Sequence, residues 1–280
     1  MITEIDGHVV FVGTGHVDWR EDQPTLLLLH GAGMDRTVWV LLARYFARHG
    51  YNVVAPDFPA HGGSGGVVLG DIESQADWVW RLIDTLRVGG DGETPVLPEG
   101  ALIAAGHSMG ALAALAMAGQ RATMVARLVL LGVGYPMGVG QALLDAAHAN
   151  ERAAVDMITI YGHAHASRLG RNTVAGISVI NNAAALLEQA APGVLHADLA
   201  ACNTWQGGEQ AAASFGQGRT CIIVGQEDRM TPRRATMNLL EPLGARLEVL
   251  EDCGHMVMSE QPEAVLQAMK RGVRDDASTG

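Results

Sequence analysis

The sequence predicts an α/β fold: a mostly parallel sheet flanked by helices, with an inserted helical cap. Three observations carry that expectation. Short apolar runs alternate with amphipathic stretches over most of the 280 residues, the rhythm of strands joined by helical crossovers. Several runs, 25–29 foremost, are almost continuously apolar, as strands covered on both faces are. Between Tyr135 and about Gly216 the strand signal vanishes, alanine-rich helical pieces take over, and the α/β rhythm then resumes.

The elements follow in order. Residues 9–12 are expected to form an early strand and 25–29 a buried one. A helix over 38–49 ends at Gly50, a natural C-cap. The strand 52–55 precedes a helix over 71–87, whose apolar set is Ile72, Trp78, Val79, Leu82, Ile83 and Leu86. The strand 102–106 runs into Ser108, a small-residue helix covers 110–120, and 127–131 is a further strand. Helices over 141–149, 153–161, 182–191 and 194–201 fill the insertion, broken by glycines and Pro192. Strand 220–225, helix 232–240, strand 246–250 and helix 262–270 complete the set, with 275–280 as a frayed tail. The expected division is a sheet domain of 1–134 and 217–280 with a helical unit, 135–216, inserted in it.

Composition narrows the chemistry. The formal charge is −11, which argues against a nucleic-acid backbone as partner. Lys270 is the only lysine and lies far from any glycine-rich turn, so P-loop, pyridoxal-phosphate and Schiff-base chemistry are disfavoured. Cys202, Cys221 and Cys253 share no metal-binding spacing and leave one over after any pairing, which suits a reducing compartment. The N-terminus carries Glu4 and Asp6 where a signal peptide would carry basic residues, and no apolar run nears the ~20 residues of a membrane span. A cytoplasmic protein is expected.

The strongest motif is Gly106-His107-Ser108-Met109-Gly110, a G-x-S-x-G between a predicted strand and a predicted helix. A serine on so sharp a turn needs small neighbours and presents its hydroxyl above the sheet edge, over a helix N-terminus. Serine is a weak nucleophile and requires a base, itself oriented by a carboxylate. His255, in a glycine-containing loop after the last strand, is the best base; His30, His61, His107, His163 and His165 are read as structural. Asp228, in the loop after strand 220–225, is the best acid, with Glu227 its competitor, and Thr231 is read as the cap of the next helix.

The order Ser108, Asp228, His255 resembles the α/β-hydrolase superfamily, in its serine-nucleophile esterase, lactonase or C–C hydrolase branch. His30-Gly31-Ala32-Gly33 is similar to that family's H-G-x segment, which implies an oxyanion hole from the amides of Ala32 and Met109. The run 57–64, from Asp57 to Ser64, is similar to the family's structural D-x-P-G-H-G-x-S turn, with Ala60 in place of a glycine. The insertion falls where the family carries a helical lid. A serine nucleophile disfavours dehalogenase and epoxide-hydrolase chemistry, and the absence of an H-G-G-G-P-G run lowers the C–C reading. The resemblance therefore implies acyl transfer on a small, largely apolar ester or lactone, with no cofactor and no metal; the alternative is C–C cleavage next to a ketone, and a non-catalytic binding protein ranks lower. Tyr135, Met137, Met157, Tyr161 and Trp205 are candidates to line the substrate pocket, while Arg168 and Arg171 are read as solvated.

Overall fold

The structure is a computed structural model, and it describes residues 1–89, 96–171, 173 and 176–274; the expected tail at 275–280 lies outside them. Eight strands form one sheet: β1 (Ile2–Ile5), β2 (His8–Gly13), β3 (Thr25–Leu29), β4 (Asn52–Pro56), β5 (Leu102–His107), β6 (Val125–Leu131), β7 (Thr220–Gly225) and β8 (Arg246–Leu250). Their spatial order is β1-β2-β4-β3-β5-β6-β7-β8. The two N-terminal strands pair antiparallel and the other six parallel.

Alternation in β3 shows why its sequence is continuously apolar. Leu27 and Leu29 enter the core on one face, Leu26 and Leu28 the core on the other, and all four are fully buried. Helices α2 (Ile72–Val88) and α3 (Met109–Gln120) cover the first face, α1 (Val40–Arg48) and α12 (Pro262–Gly272) the second. β1 escapes sequence patterning because its only two apolar residues are Ile2 and Ile5, and Ile2 is exposed at the sheet edge. The available signal was Asp6-Gly7, both at positive φ, the two-residue hairpin turn joining β1 to β2.

Between β6 and β7 the described residues form helices: α4 (Gln141–His148), α5 (Arg152–Gly162), α6 (His165–Arg168), α7 (Val179–Glu188), α8 (Val194–Thr204) and α9 (Gly208–Phe215). Leu143, Val155, Ile158, Leu187 and Leu199 from this segment make a core of their own, joined by Met34 and Met256 from the sheet domain. α9 differs: Ala211, Ala212 and Phe215 belong to the sheet's first core, and a Cβ at Gly119 of α3 would lie 2.7 Å from Ala211 Cα. Thus α9, inside the 135–216 segment, packs as a sheet-covering helix. The last elements are α10 (Arg233–Leu243) and the short α11 (Val257–Glu260). Among the described residues no helix is long and apolar enough to cross a membrane.

Candidate active site

Ser108 sits at the junction of β5 and α3 with φ 53° and ψ −116°, a conformation that L-residues hold only when their surroundings impose it. The flanking glycines make the turn possible: a Cβ on Gly106 would lie 2.0 Å from the Gly110 oxygen, and one on Gly110 2.4 Å from the oxygens of Leu29 and His30. The Ser108 amide donates to the Leu131 oxygen at 2.9 Å, which ties the turn to the end of β6. Among the described residues the amides of Ala32 and Met109 donate to no acceptor in the protein. The Gly31 oxygen accepts from His30 Nδ1 at 3.0 Å and from the Met34 amide at 3.2 Å. Because the peptide is planar and trans, holding that oxygen fixes the opposite direction of the Ala32 N–H.

Asp228 and His255 meet because their loops approach closely; a Cβ on Gly225 would lie 2.0 Å from the Gly254 oxygen. Asp228 Oδ1 accepts from the amides of Met230 and Thr231, each at 2.8 Å. Its Oδ2 accepts from Thr231 Oγ1 at 2.7 Å and faces His255 Nδ1 at 2.8 Å. Thr231 is therefore a donor to the carboxylate rather than a helix cap; the cap of α10 is Pro232. Burial pushes the Asp228 carboxyl upward, but the imidazole and these donors outweigh it and leave its pKa below the ordinary value. With Nδ1–H given to Asp228, neutral His255 carries its lone pair on Nε2. The backbone of His255 is braced too: its amide donates to the Gly162 oxygen at 2.8 Å, and its carbonyl accepts from His107 Nε2 at 2.9 Å. Burial, then the neighbouring imidazole, lowers the pKa of His107 to about 3, so it serves as a neutral donor.

The other candidates separate clearly. His30 is fully buried, accepts from the Phe58 amide at Nε2, and is held well below its ordinary pKa by burial. His61 faces Asp198, His163 Nδ1 faces the Thr159 oxygen, and burial lowers the His163 pKa to about 4. His165, Arg168 and Arg171 are exposed, and Glu227 points to the insertion, accepting from the His165 amide. Asp57 binds the amides of Arg36 and Gly63 and pairs with the Arg36 guanidinium, a structural part. No group of three or more metal-ligating side chains occurs among the described residues.

Of the five pocket candidates, Tyr135 and Trp205 are buried in the sheet core and stack edge to face at 5.6 Å. Met157 packs on the insertion's core, and Tyr161 is half exposed beneath Arg229. Met137 lines a cavity of about 280 Å³ beside Thr231. None of the five lines the larger cavity, about 540 Å³, between α7 and the loops that follow β3 and β8. Its walls include Met34, Val38, Ala185, Leu186, Met256 and Met258, and no charged side chain contributes to it. Sequence reading also missed Asp198 and Glu260, two buried carboxylates that join the insertion to the site loops. Asp198 had one local signal: it lies on the buried side of α8, beside Val194, Leu199, Ala201 and Cys202.

Comparison with known proteins agrees with this fold. The alpha/beta hydrolase family matches residues 26–268. A pimeloyl-[acyl-carrier protein] methyl ester esterase of Aromatoleum aromaticum is 30% identical over 263 residues, covering 86% of this chain and 95% of the relative. An (E)-2-((N-methylformamido)methylene)succinate hydrolase of Acinetobacter baylyi is 26% identical, covering 92% and 93%. Among solved structures, the enol-lactonase from Burkholderia xenovorans superposes with a TM-score of 0.80 at 18% identity, covering 98% of this chain and all of that one.

Proposed function

The chain belongs to the alpha/beta hydrolase family, and from that premise we propose that it is a serine hydrolase cleaving a carboxylic ester or lactone of a small, largely apolar substrate. The observation that carries the reading is His255, fixed by Asp228 at Nδ1 and by two backbone hydrogen bonds, across Gly132 from the strained Ser108 turn. A Cβ on Gly132 would lie 3.1 Å from His255 Nδ1, while the preceding residue, Leu131, holds the Ser108 amide.

In this mechanism His255 Nε2 takes the Ser108 proton as Oγ bonds to the substrate carbonyl carbon. The carbonyl oxygen becomes an oxyanion held by the amides of Ala32 and Met109. The C–O bond to the leaving alcohol then breaks, and the imidazolium returns its proton to that oxygen. Water, deprotonated by the same Nε2, releases the acid by the reverse steps, and Asp228 stabilises the imidazolium in each half. No metal or organic cofactor enters. The insertion serves as a lid, and the 540 Å³ cavity beneath α7 takes the apolar part of the substrate. An uncharged lining suits an acyl or alkyl chain better than a second carboxylate. The name of one relative, a methyl ester esterase, favours C–O acyl cleavage. The three buried, unpaired cysteines fit a reducing, cytoplasmic setting.

The test combines fluorophosphonate labelling with turnover of p-nitrophenyl esters. Wild type should label once and turn over, and Ser108→Ala should lose the label and at least about 10³-fold in kcat. Full turnover by Ser108→Ala would overturn the nucleophile assignment. Turnover of a vinylogous 1,5-diketone in place of every ester would move the reading to C–C cleavage.

A further inference from the structure

Asp198 belongs to α8 of the insertion, yet its carboxylate lies against loops of the sheet domain. It is fully buried; Oδ2 accepts from the Gly33 amide at 2.8 Å and lies 2.8 Å from His61 Nε2. The other His61 nitrogen, Nδ1, is 2.9 Å from the Pro59 oxygen, which can only accept. Nδ1 must therefore carry a proton. A second proton on Nε2 makes Oδ2 the acceptor of two hydrogen bonds, one from His61 and one from Gly33. The pair is then a buried imidazolium and carboxylate. Burial alone would lower the His61 pKa, but the carboxylate outweighs it and the value is raised. His30 stands 5.0 Å away, ring to ring and neutral, and Asp57 adds a further negative charge from the same turn.

Gly33 follows Ala32, whose N–H is one of the two amides assigned to the oxyanion. The peptide before Ala32 is fixed by His30 and Met34 through the Gly31 oxygen; the peptide after it is fixed by Asp198 through the Gly33 N–H. Leu195, one turn before Asp198, closes over the same spot: a Cβ on Gly33 would lie 2.8 Å from Leu195 Cδ1. Asp198 Oδ1 has no partner among the described residues, so both of the carboxylate's contacts, to Gly33 and to His61, are made at Oδ2.

We propose that Asp198, held by His61, is a positioning residue through which the helical insertion sets the Ala32 amide for oxyanion binding. The proposal rests on the serine-hydrolase reading above. It makes catalysis depend on seating of the insertion: with α8 displaced, the peptide after Ala32 loses its charged acceptor, although Ser108, Asp228 and His255 are unmoved.

The experiment measures kcat and KM on p-nitrophenyl butyrate per active site, counted by exhaustive fluorophosphonate titration, for wild type and Asp198→Ala, Asp198→Leu, Asp198→Asn and His61→Gln. Ala and Leu remove the acceptor, and Leu also keeps the volume. Both should lower kcat per titrated site ten-fold or more, with KM within two-fold. Asn retains an oxygen for the Gly33 N–H, and Gln retains a donor for Asp198, so both should recover to within about five-fold of wild type while remaining below it. A purely structural role would lower the number of titratable sites and leave kcat per site alone. Wild-type kcat per site in folded Asp198→Ala or Asp198→Leu overturns the proposal, as does a loss confined to KM. Should neither fold, wild-type kcat per site in Asp198→Asn overturns it. Ser108→Ala run in parallel separates the two readings: if it stays active the hydrolase mechanism fails, and if it is dead while the Asp198 variants are fully active only the positioning role fails.

Discussion

Two buried carboxylates join the insertion to the sheet domain, and they are built differently. Asp198 reaches from the insertion into the loops after β3 and β4, where it meets an imidazole and one amide. Glu260 reaches the other way, from α11, and meets only neutral donors: Ala164 N–H and Ser167 Oγ of the insertion at Oε2, and Gly254 N–H at Oε1. One anchor flanks the proposed oxyanion hole, the other the proposed base. The loop each one serves has different support. His255 is held independently by Asp228, the Gly162 oxygen and His107, whereas Asp198 is the acceptor for the Gly33 amide. Glu260 therefore has a structural role that other contacts back up at the site, whereas Asp198 is the hydrogen-bond acceptor of the peptide after Ala32, His30 and Met34 holding only the peptide before it.

Cutting the histidine-side anchor gives the largest expected change, and it should fall on stability. Glu260→Ala leaves three buried donors without their acceptor, about 2–4 kcal/mol after the relief of desolvating a carboxylate is counted. Denaturant midpoints should show that loss, while kcat per titrated site stays within a few-fold of wild type. If kcat per site drops as far as in Asp198→Ala, the two anchors are equivalent and the contrast between them is broken.

How much of this could be read from the sequence follows the same division. The sheet and the Ser108 turn were legible because local physics dictates them: the leucines of β3 have to be covered on both faces, and Gly106 and Gly110 admit no Cβ beside Ser108. Asp228 and His255 could be placed because each follows a parallel strand, the fully buried β7 or the edge strand β8, with β5, β6, β7 and β8 in sequence order across the sheet. The insertion offered no such frame. Asp198 and His61 stand 137 residues apart, and nothing near either one announces the other. Helix α9 was hidden between Gly207-Gly208 and Gly216, whose glycines read as breakers, although Ala211 fits tightly against Gly119 of α3. The aromatic residues near 135 and 205 resembled pocket lining, but they are core because Tyr135 bonds the Gln206 oxygen and Trp205 bonds Glu73.

The second way to sharpen the comparison is pH. The folded pKa of His61 lies above its unfolded value, so the folded protein holds that proton more tightly than the unfolded chain. The stability from this pair is fully present below about pH 6.5 and is lost as pH rises through the raised folded value. Burial also raises the Glu260 pKa, so its loss of stability with rising pH begins much lower, just above 4.5. His61→Gln cannot titrate. The difference in unfolding free energy between wild type and this variant should be largest below about pH 6.5 and shrink as pH rises through the raised folded value. A difference that is flat or grows with pH would mean that the pair is not the charged one described.

The smallest expected effect concerns the cavity, which touches both anchored loops: Met34 follows Gly33, and Met256 follows His255. Ala185 lines it from α7 and belongs to neither anchor. Ala185→Phe should fill part of the 540 Å³ without altering Gly33, Asp198, Glu260 or His255, so it separates binding of the chain from positioning of the reacting groups. Each methylene excluded from an apolar site costs about 0.8 kcal/mol, roughly four-fold in kcat/KM. The ratio of kcat/KM for p-nitrophenyl octanoate over acetate should therefore fall by about four- to fifteen-fold, with kcat on acetate unchanged. An unchanged ratio would place the acyl chain elsewhere, with the smaller cavity beside Thr231 and Met137 as the next site to narrow. A fall on acetate as well would show that α7 bears on the reacting centre, and that the insertion positions the site through more than its two carboxylates.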